Sequence, residues 1–196
     1  MDGLGQLFLL GLLGGYTLSD RPPERVATVE VQAIRPTKAD RPLDMTLIDW
    51  QVREKRLWDG RVRLGLGATL MHASGQITQL TGSLDDGSLR EARLDSPGWG
   101  LGPSIGASLR APMSPAVSVS LDVKGAVLLH DRAFPAGGKR YNGLIEGGPS
   151  LHWRLDGGSE VSLGARWLHL SNGQGLGAHN PSYDGRGISL RYRRPL

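Results

Sequence analysis

The chain has 196 residues, of which 39% are hydrophobic and 29 are glycine, with a formal net charge of +4. That length suits one domain with a real core, and the absence of cysteine excludes disulfides, thiolate metal sites and a Cys nucleophile. The Arg and Lys residues are scattered rather than clustered with aromatics, which argues against nucleic acid and for an anionic membrane surface.

In chain order, residues 1–20 come first, with an apolar stretch from Leu4 to Tyr16. It has the length of a signal-peptide core but lacks a basic start and a clear cleavage site. We expect it to be an export segment, and residues 21–196 to form a single β-barrel domain. Two weaker strand segments follow near 27–34 and 46–53. Then alternation of period two, the mark of a strand, becomes clear. Val62, Leu64, Leu66, Ala68 and Leu70 alternate with Arg61, Arg63, Gly65, Gly67 and Thr69. Trp99, Leu101, Pro103, Ile105, Ala107 and Leu109 alternate with Gly, Ser and Arg110. Val117, Val119, Leu121, Val123, Val127 and Leu129 stand opposite Ser118, Ser120, Asp122, Lys124 and His130. Three more strands centre on Leu151, Leu163 and Leu190.

This predicts an all-β fold, an eight-stranded antiparallel transmembrane β-barrel. Strands this long, each with one unbroken apolar face and mid-strand charges on the other, fit apolar-out and polar-in. Trp50, Trp99, Trp153, Trp167 and Tyr192 are expected near strand ends, as an aromatic girdle. Short connections near 54–60, 111–115 and 156–158 alternate with long ones near 35–45, 72–97, 131–141 and 171–185. That is the pattern of short inner turns and long outer loops. It puts the segment after Trp167 at the cell-surface side of a bacterial outer membrane.

The most informative stretch lies at 166–186. His169 and Ser171 share the face of Val161, Leu163, Ala165 and Trp167, so a polar pair stands on the lipid side, where polarity is expensive. A nucleophilic Ser needs a base, and the base needs an orienting acid. Asp184 opens the last strand, next to the strand of His169. Asn172, Gly173 and Asn180 are candidates for an oxyanion site. Arg166 and Arg186 flank the pair and are candidates for lipid phosphate contacts, with balancing of lumen charge as the alternative for both. His72, His130 and His152 lack metal-ligand spacing, and no metal is assigned.

Arg166-Trp167-x-His169-x-Ser171-Asn172, followed by a Gly-rich loop and Asn180-Pro181, resembles the signature of the lipid A 3-O-deacylases, the PagL family. The resemblance implies an eight-stranded outer-membrane barrel that hydrolyses the ester-linked acyl chain at position 3 of lipid A, without a cofactor. It implies His169 as base, Ser171 as nucleophile and Asn180 as the loop asparagine. The family's acid is usually Glu, four residues after that asparagine. Here Asp184 stands four residues after Asn180, while the spacing from Ser171 to Asn180 is one residue longer than usual. Without allowance for that residue, Tyr183 falls at the acid position and the acid is lost. The expected partners are lipopolysaccharide and outer-membrane lipids, and homodimerisation stays open. The alternative is a non-catalytic structural or adhesive surface barrel.

Overall fold

A computed structural model describes residues 22–81, 90–172 and 182–196, with the side chains of 79–81 excluded. The expected export segment at 1–20 lies outside the described residues. Among them are nine strands: β1 (Glu24–Pro36), β2 (Leu43–Leu57), β3 (Val62–Thr81), β4 (Arg90–Asp95), β5 (Gly98–Pro112), β6 (Val117–Phe134), β7 (Lys139–Arg154), β8 (Glu160–Ser171) and β9 (Tyr183–Pro195). Eight of them close into an antiparallel barrel in the order β1-β2-β3-β5-β6-β7-β8-β9, and β9 pairs back on β1. The ninth, β4, pairs only with the distal part of β3, from Gln76 to Thr81. The two form a hairpin beyond the barrel wall.

Closure fixes the tilt. A ladder row leaving β7 at Trp153 passes Val161, Tyr192, Val29, Trp50, Ala68 and Pro103, then Val127, and returns to β7 at Gly143, ten residues away. Ten steps of about 3.3 Å against eight spacings of about 4.8 Å tilt the strands by about 40°.

The faces divide as the alternation requires. On β8, Leu163, Ala165, Trp167 and His169 are exposed, while Ser162, Gly164, Arg166, Leu168 and Leu170 are buried. The interior has two storeys. The lower one, toward the chain ends, is charged. There Glu30 binds Arg166 at 2.7 Å and Arg191 at 2.6 Å, Lys124 binds Asp49 at 2.6 Å and Glu146 at 3.0 Å, and Arg193 binds Glu54 at 2.9 Å. Such charges are tolerable away from water because each meets an opposite charge and further hydrogen bonds. The upper storey is an apolar plug. Ile34, Leu43, Met45, Leu47, Met71, Leu128, Leu144, Leu168, Leu170 and Tyr183 fill it, and Ile77 and Phe134 join them from the upper rim. Between the lower charges remains a cavity of about 40 Å³, room for a few waters at most.

Two expectations change. The long outer connection near 35–45 shortens to residues 37–42, while the described parts of 72–97 and most of 131–141 are strand, because the ladders run on past the apolar face. β6 and β7, for example, are linked by 135–138 alone. The aromatic girdle holds for Trp99, Trp153, Trp167 and Tyr192, all exposed. Trp50 is also exposed but stands mid-way along β2.

Candidate functional site

The site is built on the outer wall, at the upper ends of β8, β9 and β1. Cross-strand pairing sets its rows. In the lowest, Trp167 of β8 lies beside Arg186 of β9, which lies beside Arg35 of β1. One step up, His169 pairs with Asp184 on one side and with Ile145 of β7 on the other. A further step up, Ser171 pairs with Gly143. On β9 the outward apolar residues are Ile188, Leu190 and Tyr192, so Arg186 and Asp184 lie above them, at the rim.

His169 Nδ1 lies 2.7 Å from Asp184 Oδ1. Lys38, from the β1–β2 connection, holds the other oxygen, Oδ2, at 2.9 Å. The same connection fastens the backbone at this point. Thr37 donates to the Asp184 carbonyl from both its N–H and its Oγ1, each at 3.0 Å. The hydrogen bond from His169, and then the one from Lys38, keep the Asp184 carboxyl below the usual carboxylate range. A charged Asp184 accepts from Nδ1–H, which leaves the Nε2 lone pair facing away from the acid.

Strand parity separates the two residues that compete for the acid position. Tyr183 points inward, is 0% exposed, and donates its hydroxyl to the Leu43 carbonyl at 2.8 Å. Asp184 points outward. Ser171 is half-buried and shares the His169 face, while the Asn172 side chain is buried. Gly173 and Asn180 lie outside the described residues.

Arg166 requires a correction. It is 2% exposed and turned into the lumen, where it binds Glu30 and, at 3.1 Å, Asp122. It balances lumen charge and cannot meet a lipid phosphate, because β8 parity puts it opposite Trp167. Arg186 is exposed on the outer wall.

Sequence reasoning missed Lys38 and Thr37, whose approach to Asp184 depends on barrel closure. It also missed Arg35, whose parity with Val29, Val31 and Ala33 was a usable signal. A buried relay was missed as well: Ser120 Oγ lies 2.7 Å from His152 Nε2, and His152 Nδ1 lies 3.1 Å from Glu160. It lies in the lower lumen, beside a cavity of about 40 Å³ that has no room for a lipid substrate.

No protein-family model and no curated protein matches the chain. Several solved structures are similar in fold. The crystal structure of the outer membrane enzyme PagL has a TM-score of 0.49 at 15% identity, covering 87% of this chain and 99% of that one. The Yersinia pestis outer membrane protein Ail gives 0.36 at 11%, covering 86% and 99%. The beta domain of the Bordetella autotransporter BrkA gives 0.34 at 15%, covering 90% and 100%. At these identities the likeness is one of fold alone.

Proposed function

We propose that this protein is a serine esterase of the bacterial outer membrane that removes the 3-O-linked acyl chain of lipid A. The outward apolar face of β6 runs from Val117 to Leu129. Tilted as above, those twelve steps project to about 30 Å along the axis, the thickness of a hydrocarbon core. The esterase reading is carried by one observation: a His169–Asp184 pair at 2.7 Å on the outer wall, with Ser171 two residues along the same face. A base oriented by an acid beside a hydroxyl is costly at a lipid surface and is the arrangement that activates a serine.

In this reading Ser171 Oγ attacks the ester carbonyl carbon while His169 Nε2 takes the hydroxyl proton. The C–O bond to the sugar breaks, and His169 returns the proton to the departing sugar oxygen. Water, activated by the same imidazole, then releases the fatty acid from Ser171. Asp184 holds the ring in its productive tautomer. Backbone N–H groups at Asn172 and Gly173, with the Asn180 side chain, are assigned to the developing oxyanion.

The test is mass spectrometry of lipid A after incubation with detergent-folded protein, with Ser171→Ala alongside. Loss of one 3-hydroxyacyl group with the wild type and none with Ser171→Ala is expected. An unchanged lipid A mass with folded wild type would overturn the esterase and leave a non-catalytic surface barrel.

A further inference from the structure

Arg35 and Arg186 are directly paired across β1 and β9, and both are exposed on the outer wall. Side chains so paired have Cβ atoms about 5 Å apart, and like charges there are unfavourable. Among the described residues neither guanidinium has a carboxylate partner. Asp184, the acid nearest in the ladder, has both oxygens engaged, by His169 and Lys38. The adjoining segment 173–181 contains no Asp or Glu.

The pair also sits at a defined height. The next row down is Ala33, Ile188 and Ala165, wholly apolar. In the row itself Arg186 adjoins Trp167, which is 58% exposed. Two unneutralised guanidinium groups thus stand where apolar wall gives way to headgroups, one row below His169. Their forked donors match the oxygens of a phosphate, an anion that membrane headgroups present at this level.

We infer that Arg35 and Arg186 form a clamp for a phosphate of the glycolipid substrate, holding its headgroup so that the ester lies over Ser171. That the phosphate belongs to the substrate rests on the esterase reading above. The clamp itself rests on the arginine pair.

The experiment uses the full chain folded in detergent, as wild type, Arg35→Gln, Arg186→Gln and the double variant, with folding checked by heat-modifiable migration. Substrates are bisphosphorylated lipid A and the same lipid treated with phosphatase. On phosphorylated lipid A the double variant should raise KM about tenfold, the size of a lost charge-assisted contact, with kcat within about twofold. On dephosphorylated lipid A the variant and the wild type should match. An unchanged KM on phosphorylated lipid A, with a cleaving wild type, overturns the clamp. Binding by Ser171→Ala, with and without the two arginine substitutions, is measured in parallel. If the wild type cleaves nothing while binding still needs both phosphate and arginines, the esterase reading fails and the clamp stands. Equal loss of binding to phosphatidylglycerol nanodiscs would overturn the glycolipid assignment in favour of bulk headgroups. Competition by excess inorganic phosphate as strong as the double substitution would assign the site to free phosphate instead.

Discussion

Asp184 reaches His169 Nδ1 at 2.7 Å although its side chain is one methylene shorter than glutamate. The backbone makes up the difference, because Asp184 and His169 are directly opposite in the β8–β9 ladder. Replacing Asp184 by Asn should keep the fold and lower kcat by about 10³–10⁴, the effect of losing a triad acid. Lipid A turnover by Asp184→Asn near the wild-type rate would remove Asp184 from the mechanism. The depressed Asp184 carboxyl also sets a pH window. A group whose folded value is lowered contributes stability above its unfolded value, about 4, and loses it as pH falls through the folded value. The ties from Asp184 to His169 and Lys38 should therefore persist throughout the neutral range and fail only in stronger acid. Carboxyl titration by NMR checks this, and Lys38→Met should move the midpoint upward. A wild-type midpoint above the ordinary Asp value would contradict the assignment.

Parity along an element decides what each side chain meets. On β8 the residues from Arg166 to Ser171 send Trp167, His169 and Ser171 outward and Arg166, Leu168 and Leu170 inward. On β9 the same rule turns Asp184 and Arg186 out and Tyr183 in. Arg166 and Arg186 therefore predict opposite phenotypes. Arg166→Met leaves Glu30 and Asp122 short of a partner in the lumen and should cost about 3–5 kcal/mol of stability, read from urea unfolding in micelles, with KM unchanged. Arg186→Gln should alter KM and spare stability. A KM increase in Arg166→Met with unaltered unfolding would reverse the two roles. Gly187 shows a second constraint within β9: a Cβ there would overlap the Ala33 carbonyl oxygen of β1. Only glycine lets the two strands approach so closely.

For the molecule as a whole, closure and filling make the barrel a platform rather than a channel. Among the described residues the charged storey and the apolar plug above it fill the lumen, with Leu43, Leu47, Met71, Leu128 and Leu170 all fully buried across its upper part. Reconstituted into a planar bilayer, the protein should show no discrete conductance steps. Reproducible steps would mean that the plug opens.

The fold was legible in the sequence because strand alternation is local. Each residue's face follows from its neighbours two positions away, so the apolar exterior and the pairing of His169 with Ser171 on one face could be read directly. The weak segment near 46–53 is an exception with a local cause. In β2 a register shift between Gln51 and Arg53 breaks the period, and two adjacent residues, Glu54 and Lys55, both turn inward. What only the tertiary structure decided is every relation across strands. The ten-residue stagger, the extension of ladders through segments that read as loops, the approach of Lys38 to Asp184 and the juxtaposition of Arg35 with Arg186 all depend on β9 closing onto β1. These partners are about 150 residues apart in the chain, and register at that separation is set by the summed pairing of all eight strands, which no local pattern encodes.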